Sequence, residues 1–142
     1  MRKAVLSAVA VTALVAPLAA CSSGNVFELQ EGDCLNRSDF EGGEVTDVEI
    51  LECGEQHDAE VFALVEHTGE EFPGDQAIQD EAGTMCEPPF EEFIGVPYAE
   101  SELFFSVLTP SEESWNQADD RTSACIVTVD EPMTGSLEGA NR

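Results

Sequence analysis

The chain has 142 residues and carries thirty acidic residues against five basic ones, so its formal net charge is −25 at pH 7. This balance excludes a nucleic-acid-binding role, because phosphate binding needs clustered lysine and arginine side chains. It also disfavours direct adsorption to anionic lipid head groups. The ordinary explanation of this negative charge is a solvated acidic surface. The more specific alternative is a surface that binds cations or a basic partner.

The first twenty residues have the layout of a secretory signal. Arg2 and Lys3 supply positive charge, and an apolar run over residues 4–17 follows them. This run is too short to cross a hydrocarbon layer of about 30 Å as a permanent helix. Cleavage after residue 20 would remove two of the five basic residues and none of the thirty acidic ones, which gives a formal net charge of −27.

The signal ends in Leu18-Ala19-Ala20-Cys21, the pattern of a bacterial lipobox. In such a pattern the cysteine thiol takes a diacylglyceryl group, and two acyl chains such as palmitate give stable anchoring. An ordinary cleaved signal with a free mature cysteine is the alternative. We expect residues 1–20 to be a lipoprotein signal, 21–25 a lipidated cysteine with a short polar tether, and 26–142 one domain on the extracytoplasmic face of the cell membrane.

The chain after the tether begins with strand patterns. A turn composition over residues 31–34 places Cys34 beside a bend. Apolar and acidic residues alternate over 45–51, which predicts a half-buried strand. The run at 60–65 is apolar on both faces and predicts a central strand.

The middle of the chain has the clearest helical period. Apolar residues recur at helical spacing over 75–86, which predicts a helix. Pro88 and Pro89 predict its end, because proline lacks the backbone N–H that a helix interior needs. A short second helix is expected over 90–94.

Two further apolar runs, at 103–108 and 124–129, predict the last strands. A polar, acidic loop at 110–120 lies between them and carries Trp115, the only tryptophan. The order of the elements predicts a small α+β domain with a mostly antiparallel sheet of about four strands and one or two helices on one face.

The cysteines agree with export to an oxidising compartment. With Cys21 assigned to lipid, an even set of four remains, and these predict two disulfides. The order of the predicted elements favours two short-range pairs, Cys34 with Cys53 and Cys86 with Cys125. Zinc is the competing interpretation, but the chain has no C-x-x-C pattern and its two histidines lack ligand spacing. We therefore expect no metal and no cofactor.

Several short motifs follow one another along the chain: Glu31-Gly32-Asp33-Cys34, Cys53, His57-Asp58-Ala59-Glu60-Val61, Phe72-Pro73-Gly74, Cys86, Pro110, Trp115, Asp120-Arg121, Cys125 and Gly135-Ser136-Leu137. In combination they resemble the septum formation domain of actinobacterial secreted and membrane proteins. The resemblance covers most of the mature chain. It implies a cell-envelope domain linked to division-septum formation, with no established reaction and no catalytic residues to carry over. The segment 118–121 is one residue longer than the family's usual spacing.

The chemistry-bearing candidates allow a catalytic and a structural interpretation. His57, with Asp58 and Glu60 nearby, could supply a general base and its orienting acid. No nucleophile stands in a recognisable motif, and adjacent strand residues point to opposite faces, so a structural His57 is favoured. Asp120 and Arg121 are expected to be structural, with Arg121 anchoring the loop of Trp115 by a carboxylate pair or by stacking.

Trp115 is expected to be packed, and an exposed anchor for a partner is its alternative. The resulting hypothesis is a non-enzymatic, lipid-anchored interaction domain of the cell envelope, with an envelope or division protein as partner. Its role near septum formation or wall assembly depends on the resemblance alone. The alternatives are a small envelope hydrolase that uses His57, and an acidic module that binds a cation or another ligand.

Overall fold

The computed structural model describes residues 22–42, 45 and 47–142. The expected signal segment and Cys21 lie outside the described residues, so the lipid anchor stays a prediction. Within the described part of the chain, no helix combines the length and the apolar character that a membrane crossing requires.

The domain is built around two antiparallel sheets. The described residues form six strands in chain order: β1 (Ser22–Asn25), β2 (Cys34–Leu35), β3 (Asp47–Ile50), β4 (His57–Glu66), β5 (Phe104–Leu108) and β6 (Thr122–Met133). The main sheet has four strands in the order β2-β4-β6-β5, and β1 pairs with β3 in a second, two-stranded sheet. The predicted α+β class, with a mostly antiparallel sheet of about four strands, is confirmed.

Strand β4 is central, as its apolar run predicted. It pairs with β2 on one side and with β6 on the other, and Val61 lies opposite Ile126 in the register. Phe62 packs into the core on the helix-covered face of the sheet, and Val61 packs into a separate core on the second face. Two irregularities interrupt the β4–β6 register, one between His57 and Ala59 and one between Val61 and Ala63.

A single long helix, α1 (Asp75–Ile94), covers the first face of the sheet. The predicted break at Pro88 and Pro89 was wrong, and so was the separate helix over 90–94, because α1 continues through both prolines. The apolar positions stay in phase across them: Ile78, Ala82, Cys86, Phe90 and Ile94 are all fully buried. Burying each large apolar side chain contributes about 1.5–3 kcal/mol. Burial of this face on both sides of the prolines therefore offsets a cost of about 3 kcal/mol or more for each of the two.

A second, short helix, α2 (Glu112–Gln117), occupies the segment that was predicted to be a loop. Ser111 caps it: its side chain accepts a hydrogen bond from the Ser114 backbone N–H, and the Ser114 side chain accepts one from the Ser111 backbone N–H. This reciprocal capping stabilises the start of the helix. The helix was not predicted because Trp115 is its only large apolar residue, and one residue creates no helical period.

The chain before β4 covers the second face of the sheet. Leu29, Phe40 and Val48 from this segment pack against Val61 and Ile126 of the sheet. Within residues 21–25, the segment expected to be a short tether, Ser22–Asn25 form strand β1 and pair with β3. Pairing with β3 supplies the backbone N–H and C=O groups of β1 with hydrogen-bond partners, whereas the same groups in a tether would bond to water.

Both predicted disulfides are confirmed. Cys34 is bonded to Cys53 with a Cα–Cα distance of 5.3 Å, and Cys86 is bonded to Cys125 at 5.8 Å. The first joins the start of β2 to the loop before β4. The second joins α1 to β6 in the core beneath the helix.

Candidate functional site

His57 lies at the start of β4 and is only 1% exposed. Its Nδ1 atom is 2.9 Å from the Glu55 carbonyl oxygen, and since a carbonyl only accepts, Nδ1 carries the hydrogen. The other ring nitrogen, Nε2, is buried and has no hydrogen-bond partner among the described residues. The His57 ring is thus held by a backbone carbonyl, and the lone pair on Nε2 accepts no hydrogen bond from the described residues.

Glu60 is an acidic side chain buried to 1% exposure on the same strand. Its carboxylate accepts a hydrogen bond from the Ser136 hydroxyl at 2.6 Å and another from the Leu137 backbone N–H at 2.7 Å. These bonds tie the chain after β6 to β4. One ring nitrogen of His57, the Cys34 Sγ and a Glu60 carboxylate oxygen lie within 4.8 Å of one another. We call Cys34, Cys53, His57 and Glu60 the His57 cluster.

Asp58, between the two, is not part of this cluster. Its Oδ1 accepts a hydrogen bond from the Arg37 backbone N–H at 2.5 Å. Arg37 itself reaches Glu41 and Asp130 with its side chain. The catalytic pairing of His57 with Asp58 that sequence adjacency suggests is therefore absent from the described contacts.

A second cluster surrounds Trp115, which is 1% exposed and therefore packed. Its indole N–H donates to the Glu70 carbonyl oxygen at 3.2 Å, and the Phe72 ring meets it edge-on at 5.8 Å between centroids. The Arg121 guanidinium lies 3.8 Å from the centroid of the Trp115 ring and donates to the carbonyl oxygen of Trp115 at 2.8 Å. Arg121 thus anchors the segment by stacking, as the sequence suggested.

The adjacent acidic residues have separate roles. Arg121 also forms an ion pair with Asp119 at 3.2 Å. Asp120 instead accepts hydrogen bonds from the Ser114 hydroxyl and the Thr122 backbone N–H, both at 3.1 Å. Asp119 has a positive φ of 54°, so the chain makes a left-handed bend directly before Asp120 and Arg121.

An acid–histidine–serine arrangement that was not predicted from the sequence lies beside the Trp115 cluster. His67 Nδ1 is 3.0 Å from a Glu81 carboxylate oxygen, and His67 Nε2 is 2.7 Å from the Ser123 hydroxyl. Fourteen residues separate His67 from Glu81, and fifty-six separate it from Ser123, so no local motif marks them. His67 is 4% exposed and Ser123 is fully buried, which closes the serine to a substrate.

A groove of about 1070 Å³ lies beside the core on the second face of the sheet, and Asp75 and Gln79 from the start of α1 also line it. Leu64, Leu108 and Ala124 of the sheet line it, the segment before β4 lines one wall and α2 lines another. Its acidic residues are Asp75, Glu113 and Asp120. Within the described chain, no lysine or arginine lines this groove.

The model of the septum formation family matches residues 31–141 of the chain. The chain belongs to the septum formation family. The matched range contains the His57 cluster, the Trp115 cluster and both disulfides. No match was found among curated proteins or among solved structures.

The motifs that carried the resemblance meet in space at these two clusters. Gly135 donates its backbone N–H to the Cys53 carbonyl oxygen at 2.6 Å, so the last motif closes onto the first disulfide. Asp120-Arg121 and Phe72-Pro73-Gly74 meet around Trp115. The septum formation motifs therefore account for how the domain is held together.

Proposed function

We propose that this septum formation domain is a lipid-anchored interaction domain on the extracytoplasmic face of the bacterial cell envelope, where it acts in septum formation or wall assembly. The family membership supports the division-associated role. The signal layout and the lipobox ending in Cys21 support the anchor and the location.

The observation that carries the binding role is the groove on the second face of the sheet. Its apolar floor can bury the side chains of a bound segment, and its rim presents Asp75, Glu113 and Asp120. We infer that its partner is a segment of an envelope or division protein with apolar residues flanked by lysine or arginine. A second copy of the domain is a poor occupant, because thirty acidic residues on each chain repel one another.

The positions of the histidines favour binding over hydrolysis. Neither His57 nor His67 lines the groove. His57 contacts a backbone carbonyl through Nδ1, with no hydroxyl among its hydrogen-bond partners in the described chain. Ser123 has a histidine partner but no exposed surface.

The alternative function, a module that binds a cation through its acidic surface, has less support than the binding role of the groove. Among the described residues, the group of histidine, cysteine and acidic side chains with suitable spacing for a metal ion is Cys34, His57 and Glu60. Cys34 is in a disulfide there. The exposed carboxylates outside that group do not converge in threes within the described chain.

A charge-addition experiment in cells tests the groove. The Gln79→Lys, Gln117→Lys double variant places two cations in the groove lining. The matched control is Gln56→Lys, Gln76→Lys, which adds the same charge at exposed glutamines outside it. A photoreactive amino acid at Thr109, which lines the groove, reports what the full-length chain contacts.

We expect Thr109 to crosslink one envelope or division protein, and the groove variant to lose that product and fail to complement a deletion strain. The control variant should crosslink and complement normally, and all variants should melt at the same temperature. If the groove variant crosslinks and complements like the control, the groove is not the binding surface.

A further inference from the structure

The two disulfides differ in how well they are enclosed. Cys86 and Cys125 are both fully buried, and so is Cys34, whereas Cys53 is half-buried at the surface end of its bond. Thiol–disulfide exchange requires a thiolate to reach one of the two sulfurs, and accessible disulfides are the labile ones. An incoming thiolate can therefore approach Cys53 without unfolding of the domain.

His57 stands beside the buried sulfur of the same bond. Its Nε2 lone pair has no partner in the described structure, although the ring is 1% exposed. A buried acceptor without a donor destabilises the state in which it occurs. Cys34 Sγ cannot supply a hydrogen while it is bonded to Cys53, but a reduced Cys34 thiol can, and one ring nitrogen of His57 lies within 4.8 Å of Cys34 Sγ.

The surroundings hold this arrangement in place. The Glu60 carboxylate is already bound by the Ser136 hydroxyl and the Leu137 N–H, and the His57 Nδ1 hydrogen by the Glu55 carbonyl. Both side chains are thus oriented before any change at sulfur. A reduced Cys34 thiol that turns toward Nε2 would give this nitrogen a donor, and such a hydrogen bond would favour the open form of the disulfide.

We propose that Cys34–Cys53 is a thiol-exchange site whose substrates are dithiols, such as an unpaired cysteine pair of an exported protein. A substrate thiolate attacks Cys53 Sγ, the Cys34–Cys53 bond breaks, and a mixed disulfide forms at Cys53. Cys34 leaves as a thiolate, takes up the proton that the attacking thiol released, and donates its S–H hydrogen to His57 Nε2. The second substrate thiol then displaces Cys53. The substrate is oxidised to a disulfide, and the domain gains two electrons and two protons.

The test compares the reduction of the two disulfides in the purified full chain. The buried Cys86–Cys125 disulfide is the internal standard. The protein is equilibrated with defined ratios of reduced to oxidised glutathione without denaturant, and free thiols are alkylated and mapped to peptides. We expect Cys34 and Cys53 to become alkylated while Cys86 and Cys125 stay protected. Alkylation of all four cysteines together, or of none before unfolding, overturns the proposal.

Two variants at His57 separate exchange chemistry from packing. His57→Phe removes the acceptor and should lower the equilibrium constant for reduction of Cys34–Cys53 by about tenfold, the size expected for one buried hydrogen bond. His57→Gln retains an acceptor in the side chain and should stay near the wild-type constant, and it also serves if the phenylalanine variant does not fold. Equal constants for wild type and a folded His57→Phe protein, or a tenfold loss in a folded His57→Gln protein, contradict the role of His57.

A trapping experiment tests which sulfur is attacked. In a Cys34→Ser variant the mixed disulfide at Cys53 cannot be resolved internally, so incubation with oxidised glutathione should attach glutathione to Cys53. The reciprocal Cys53→Ser variant keeps its one thiol buried and should gain adduct much more slowly. Faster adduct formation at Cys34 overturns the assigned direction of attack.

Discussion

The Arg121 guanidinium lies 3.8 Å from the centroid of the Trp115 ring and also donates to the Trp115 carbonyl oxygen. One side chain thus holds both the ring and the backbone of α2. Its Nε atom donates to the Gly69 carbonyl oxygen at 3.3 Å, which connects α2 to the loop before α1. This loop and α2 meet at Trp115, so Arg121 is a central support of one groove wall.

Arg121→Lys should destabilise the domain by about 1–2 kcal/mol, because lysine cannot stack as a plane or donate in several fixed directions. Urea unfolding measures the change. Arg37→Lys is the matched control: Arg37 makes surface ion pairs with Glu41 and Asp130, and such pairs contribute about 0–1 kcal/mol. Equal losses in the two variants would mean that stacking on Trp115 contributes little.

Ser123→Ala should destabilise the domain by about 1–3 kcal/mol, because it leaves the buried His67 Nε2 without its donor. Ser106→Ala, at an exposed position on the neighbouring strand β5, is the control and should change stability by less than about 0.5 kcal/mol. A Ser123→Ala protein of unchanged stability that fails to complement a deletion strain would instead indicate a catalytic serine.

Salt should raise the melting temperature of the domain, since mobile ions screen repulsion among its thirty acidic residues. Calorimetry from low to high sodium chloride measures this effect. Calcium at micromolar concentration should add nothing beyond sodium of equal ionic strength. A steep rise with calcium would support a cation-binding module, and a flat response to both salts would mean that the carboxylates are already compensated.

Cys21→Ala should release the chain from the membrane fraction or stall its processing, because the thiol that would carry the lipid is lost. Fractionation and mass measurement of the mature N-terminus distinguish the two outcomes. Ser23→Ala, which keeps Cys21, is the control and should stay in the membrane. Membrane retention of the Cys21→Ala protein would contradict the anchor.

Features that depend on neighbouring residues and on local patterns could be predicted from the sequence. The pattern of the run at 60–65 identified the central strand, because burial on both faces leaves no polar alternation. The even set of four cysteines, read with the order of the predicted elements, identified both disulfides. Trp115 was expected to be packed, and it is buried. Arg121 was expected to anchor its segment by a carboxylate pair or by stacking, and it both stacks on Trp115 and pairs with Asp119.

Features that depend on contacts between residues far apart in the chain could not be predicted from the sequence. Helix α1 continues through Pro88 and Pro89 because the buried face on either side of them packs against the sheet. The helix propensities of the residues do not include this packing energy. His67 meets Ser123 across fifty-six residues. The unused nitrogen of His57 and the unequal enclosure of the two disulfides likewise arise from burial, which depends on which elements cover a residue and not on its neighbours in the chain.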